Sequence, residues 1–280
     1  MGTSMPSPLD ETSPSVMPFD LRRTALGVLL AIGITTAMDS SGLSAFSALP
    51  LFPLMALFWY MERLSRRSMG FVGGHASHYL LAVLHPLVVL GALAIVSSAA
   101  GAVDTSQVSW GSIARNFALM AISTILITMI TEEGFFRGWL FASLEDKGLK
   151  GIQALLWSSI AFAFWHLSAV LLPTGFDLPR ARIPLFILNA GVIGAIWGLM
   201  RWLSGSVIVA SVSHGLWNGG AYVLFGYGTK TGAFGIENTS LYGPEVGVLG
   251  LSLNLLFALA LWQWSRRKLP ASPRLPAPTS

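Results

Sequence analysis

The chain has 280 residues, of which 53% are hydrophobic and only 11% charged, and its mean hydropathy is +0.65. Soluble domains carry about 25% charged residues, so a soluble class is excluded and a membrane-embedded one is expected. There is no cysteine, which excludes disulfides, thiolate ligands and a thiol nucleophile, and the basic residues sit in short clusters between apolar runs, which reads as membrane topology and excludes a nucleic-acid partner.

Residues 1–20 are rich in Ser, Thr and Pro and lack an apolar h-region, so they read as a disordered tail rather than a cleaved signal. Apolar runs of spanning length, about 17–25 residues, follow at 22–41, 43–61, 78–100, 112–142, 152–172, 185–203, 206–226 and 246–265. Asp39, Ser40 and Ser41 mark a turn between the first two. His75 and His78 fall in the loop after the second run and read as solvated, while His85, beside Pro86, reads as a satisfied helix histidine. Trp110, Trp202 and Trp264 lie near span ends, where indoles anchor at the interface. Leu269 to Ser280 holds four prolines and reads as an unstructured tail.

The expected fold is therefore all-α, a polytopic membrane bundle of about eight transmembrane helices, with one domain over 21–268 and both termini cytoplasmic. Short cytoplasmic loops are enriched in Lys and Arg. In this orientation the inner side receives thirteen of them, including Arg22, Arg23, Arg63, Arg66, Arg67, Lys147, Lys150, Arg266, Arg267 and Lys268. The outer side receives only Arg115, Arg180, Arg182 and Lys230. An odd number of spans would put the Arg266-Arg267-Lys268 cluster on the wrong face. The compact loops suggest a bacterial plasma membrane.

Ionisable groups inside spans are costly and point to function. In Thr131-Glu132-Glu133-Gly134-Phe135-Phe136-Arg137, Glu133 and Arg137 share a helix face four residues apart, and Glu132 points about 100° away, left without a local partner. The plain alternative is a buried ion pair with the second glutamate satisfied by a neighbouring helix. The fifth span stacks Phe162 under His166, where a lone histidine is more often a packing residue than a catalyst. The seventh places His214 and Asn218 four apart, with Gly215, Gly219 and Gly220 permitting close helix approach or plain packing. At a rise of about 1.5 Å per residue, Glu132 lies roughly 18 Å from the cytoplasmic boundary, His166 roughly 21 Å, His214 roughly 12 Å and Asn218 roughly 18 Å. These layers overlap, and cleavage is expected near the cytoplasmic side.

A carboxylate in a low-dielectric site is pushed towards the range in which a general base works near neutral pH. Glu132 can then activate water, His166 can orient that water or hand a proton to the leaving amine, and His214 with Asn218 can face a developing oxyanion. The same atoms offer a second reading, a zinc ion held by Glu132, His166 and His214 with an open position for water. No H-E-x-x-H motif is present, and the metal-free reading is preferred while both stand.

These motifs, Glu132-Glu133 to Arg137 as EExxxR, Phe162 to His166 as FxxxH and His214 to Asn218 as HxxxN, resemble in content and order those of the type II CAAX prenyl endopeptidase and bacteriocin-processing (CPBP) family of intramembrane proteases. The resemblance covers about 112–226. It implies Glu132 as catalytic base, His166 assisting, and His214 with Asn218 binding the oxyanion, while Glu133, Arg137 and Phe162 shape the site. The expected function is glutamate-dependent intramembrane peptide hydrolysis on a peptide or protein substrate, either lipidated or membrane-associated, in contact with the lipid bilayer. The competing readings are a non-proteolytic bacteriocin-immunity or scaffold protein, and a proton-coupled transporter, which lacks the expected repeat of two similar halves.

Overall fold

The computed structural model describes residues 21–106, 108–228 and 230–268, so the tails expected at 1–20 and 269–280 lie outside the described residues. The chain is mostly helical, as its apolar runs require: without water in a bilayer core, a spanning segment must satisfy its own backbone N–H and C=O groups. α1 (Arg22–Ser40) stops at the expected Asp39-Ser40-Ser41 turn. A 3-10 turn (Ser44–Phe46) then leads into α2 (Leu51–Glu62). α3 (Ala76–Ala99) begins under a His75 ring that accepts the Ser77 N–H.

α4 (Trp110–Ile130), a π-helical stretch (Glu133–Leu140) and α5 (Phe141–Asp146) form one continuous apolar run. A straight helix of its 37 residues would be roughly 55 Å long, far more than the roughly 30 Å hydrocarbon core. The run is instead broken at Thr131, whose φ of −101° and ψ of −97° leave the helical region. The wider π turn then carries Glu133 to Arg137, and π segments of this kind occur often at functional sites.

α6 (Ile152–Trp165) and the short α7 (Leu167–Leu171) meet at His166. A 3-10 turn (Arg180–Arg182) precedes α8 (Ile183–Ser204), and α9 (Val207–Gly220) is continued by a second π turn (Ala221–Phe225). A small hairpin of β1 (Gly226–Tyr227) and β2 (Lys230–Thr231) comes next, a minor addition to the expected all-α fold. α10 (Thr239–Tyr242) and α11 (Val248–Lys268) complete the described chain.

Six helical segments among the described residues are long and apolar enough to cross a membrane: 44–62, 76–99, 110–146, 152–171, 180–204 and 248–267. The chain is an integral, multi-pass membrane protein. The two other expected spans, 22–41 and 206–226, are helical as well but are not among the six. Their composition explains this: α1 holds Arg22, Arg23, four threonine or serine residues and Asp39, and α9 holds two serines, His214 and Asn218. The helices expose a belt of large apolar side chains, among them Leu29, Leu87, Ile95, Leu119 and Leu256. Exposed apolar patches of this extent belong against lipid.

The core sits where α9 meets α4 and α3, and where α8 meets α6 and α11. Gly215 sets the α4–α9 approach, since a Cβ there would lie 2.6 Å from the Ala121 carbonyl oxygen. The two ends of the bundle differ. At the basic end Thr24 and Ser143 hydroxyls share a hydrogen bond of 2.7 Å, Ser143 and the Trp139 indole donate to Glu62, and Arg201 donates to the carbonyls of Arg137 and Ser68. At the sparsely charged end Ser44 donates to the Thr174 carbonyl, the Arg182 guanidinium to the Thr239 hydroxyl, and Asn189 to the carbonyls of Pro244 and Glu245.

Candidate active site

The π turn presents two adjacent glutamates to different surroundings. Glu133 is fully buried, and its Oε1 accepts from Arg137 Nη1 at 3.2 Å and faces His214 Nδ1 at 3.0 Å. Because Glu133 is already paired with a guanidinium, Nδ1 of His214 carries the hydrogen in that contact. Arg137, also without exposed surface, donates through Nη2 to the Gly194 carbonyl at 3.0 Å and lies 4.1 Å from the centroid of the Phe162 ring. Gly194 permits this, since a Cβ there would meet Arg137 Nη2 at 3.0 Å and Phe162 at 3.1 Å.

Glu132 keeps some exposure, and its Oε2 lies 3.9 Å from His214 Nε2. It looks into a cavity of about 260 Å³ whose wall also holds His166, His214, Asn218 and Phe162. The structure thus brings all four expected reactive residues to one chamber. Of the three expected shaping residues, Phe162 lines that chamber while Glu133 and Arg137 stand behind its wall. His214 is held flat against Trp197, with ring centroids 3.9 Å apart and planes inclined by 17°. His166 sits at the break between α6 and α7 with Nδ1 2.8 Å from the Phe162 carbonyl oxygen. A carbonyl only accepts, so Nδ1 carries the hydrogen and Nε2 keeps a lone pair.

The sequence does not foresee the Glu133–His214 contact, because it joins residues 81 apart. Two acids of the wall are also missed. Asp39 is read from sequence only as a turn marker, yet it lines the chamber, is buried, and its Oδ2 has no hydrogen-bond partner. Glu245, in the loop before α11, accepts from the Trp217 indole at 3.1 Å. Burial pushes its carboxyl up to about 6, against the downward pull of the Trp217 hydrogen bond. The one signal for Glu245 is a single acid placed immediately before an apolar run. His85 behaves as expected: it is fully buried, its ring nitrogens lie 3.1 Å from the Ser213 hydroxyl and 3.2 Å from Asn254 Oδ1, and it stacks on Trp217.

The surroundings of the chamber differ towards the two ends of the bundle. Towards the basic end, the segment after α2 packs under the π turn: Arg201 bridges to the Ser68 carbonyl, Val207 N–H donates to Gly70, and Ser206 donates to Val72. The chamber wall runs the other way, to the exposed Ala45 and to Phe176 and Glu245 in loops of the sparsely charged end.

Residues 114–220 match the family model described as type II CAAX prenyl endopeptidase Rce1-like. The matched segment holds all three motifs, from the second turn of α4 to the end of α9, and it implies a protease acting on a peptide or protein substrate. Comparisons with curated proteins and with solved structures gave no match. Zinc is the group to be tested against this site. Among the described residues no three His, Asp or Glu side chains are arranged to hold a metal ion. The Nδ1 atoms of His166 and His214 are both engaged within the protein, which leaves Nε2 as the ring atom through which either could ligate. As placed, Glu132, His166 and His214 do not form a zinc set, and no step is routed through a metal.

Proposed function

We propose that this chain is an intramembrane endopeptidase that hydrolyses a peptide bond with a water activated by Glu132. The observation that carries this is the division between the glutamates: Glu133 is sealed between Arg137 and His214, while Glu132 alone faces the chamber. The Glu132 carboxylate takes a proton from water as the oxygen attacks the substrate carbonyl. His166, through its free Nε2, orients that water. The Asn218 amide donates to the oxyanion, and so does His214 Nε2 when that nitrogen also carries a proton, its Nδ1–H being held by Glu133. Collapse breaks the C–N bond, and the proton held by Glu132 passes to the departing amine. Preorganised donors of this kind are commonly the largest contribution to such catalysis.

Residues 21–268 form one protease domain of eight crossing helices with both termini cytoplasmic, supported by the alternation of basic and sparsely charged ends. In that orientation the chamber takes its substrate from the non-cytoplasmic half of the bilayer. Short loops support a bacterial plasma membrane. The test is a peptide library incubated with the purified full chain in lipid and read by mass spectrometry. Wild type yields products and Glu132→Gln, equally folded, yields none. Products from both would refute the assignment.

A further inference from the structure

The chamber wall holds three carboxylates, Asp39, Glu132 and Glu245, and no lysine or arginine. Arg137, the cation nearest the catalytic residues, is spent on Glu133 and the Gly194 carbonyl. Arg182, at the sparsely charged end, donates to Thr239. Glu132 is assigned to water, which leaves Asp39 and Glu245 without a task. Neither is a casual surface acid. Asp39 is only 2% exposed and its Oδ2 is unpartnered, a costly state unless something arrives to pair with it.

Glu245 is fixed in place. Its backbone carbonyl accepts from Asn189, Asn189 accepts from Asn254, and Asn254 faces His85, which in turn faces Ser213 on α9. Its carboxylate is steered by Trp217, which stacks on the same His85. A wall of buried acids attracts a cation and repels an anion more strongly than the same charges would in water.

We propose that the chamber receives a cationic group of its substrate, an ammonium or guanidinium, with Asp39 and Glu245 as the carboxylates that bind it. The inference deepens the endopeptidase reading and rests on it for the word substrate. The segment occupying the chamber is then a stretch with a lysine, an arginine or a free amino terminus.

The experiment measures binding, so that it reads independently of cleavage. Decapeptides differing only in lysine against Nε-acetyl-lysine, scanned along the sequence, are bound to the full-length Glu132→Gln chain in lipid. The expected result is a preference of about tenfold for lysine at one position, the size of one charge-assisted hydrogen bond. Adding Asp39→Asn or Glu245→Gln brings that ratio towards one. The ratio is internally controlled, since a misfolded chain binds neither peptide, and the near-isosteric Glu245→Gln stands if Asp39→Asn does not fold. A ratio near one at every position in the parent chain, or one unchanged by both substitutions, overturns the proposal. Cleavage of the same peptides by wild type separates the two ideas: cleavage without a lysine preference leaves an endopeptidase lacking this subsite, and preferential binding without cleavage leaves the subsite and removes the protease.

Discussion

Replacing Arg137 with leucine tests how the charge cluster behind the chamber is held. The wild-type guanidinium has no exposed surface, one carboxylate at 3.2 Å, one carbonyl at 3.0 Å and an aromatic face at 4.1 Å. Removing one partner of a buried ion pair costs about 3–5 kcal/mol, chiefly because the other charge stays buried. The cation–π contact is worth about 2 kcal/mol when desolvated, but contributions within one network do not add. His214 still donates to Glu133, which puts the expected loss near the lower figure, about 3 kcal/mol. That is slightly over a hundredfold in the folded-to-unfolded ratio. Glu133→Leu combined with Arg137→Leu removes both charges and leaves His214 Nδ1 without its acceptor, a cost of about 1–3 kcal/mol, while the Gly194 carbonyl loses its Arg137 donor in either variant, so the double variant is more stable than Arg137→Leu alone. Reversible denaturation of the full chain in micelles, run on all four members of the cycle, gives the coupling. An Arg137→Leu loss under about 1 kcal/mol, or a double variant as damaged as the sum of the singles, would refute the reasoning.

Asn218→Ala removes a proposed oxyanion donor from the half-buried chamber face of α9, so turnover should drop by about 10²–10³ with the unfolding midpoint little changed; unaltered turnover would remove Asn218 from the machinery. Gly215→Ala places a Cβ 2.6 Å from the Ala121 carbonyl oxygen, and the forced separation of α4 and α9 should cost about 1–3 kcal/mol in the same denaturation assay. Glu245 gives a pH signature. Its folded carboxyl is raised from 4.5 to about 6 by burial, amid Trp217, His214, Tyr222 and Glu132. Its stabilising contribution is therefore present below about 4.5 and lost as pH rises through about 6. Relative to wild type, Glu245→Gln should gain thermal stability across that window, and a difference independent of pH would contradict the burial.

The helices were legible because a spanning segment needs little beyond an apolar run of sufficient length. The Glu133–Arg137 pair was legible because it is local, four residues along one turn. The same local logic brought His214 and Asn218 to one face. What the sequence withheld depends on tertiary placement. The bond from His214 to Glu133 crosses from α9 to the π turn, and no periodicity announces it. The break at Thr131 and the π geometry after it arise where an over-long apolar run has to fit its neighbours. Asp39 and Glu245 lie far apart in sequence, and only the packing of α1 on α6 and α7 and of the α10–α11 loop on α8 and α9 brings both to the chamber. Depth along each helix was readable, but the packing of the segment after α2 under the π turn at the basic end was not.

The most direct test of the account compares Glu132→Gln with Glu133→Gln in the same preparation, scoring peptide cleavage and unfolding together. The account predicts that Glu132→Gln abolishes cleavage at wild-type stability, since this carboxylate faces the chamber, and that Glu133→Gln is measurably destabilised, since it leaves the buried Arg137 without its counter-charge. Cleavage retained by Glu132→Gln, or stability lost through Glu132 instead of Glu133, would contradict it.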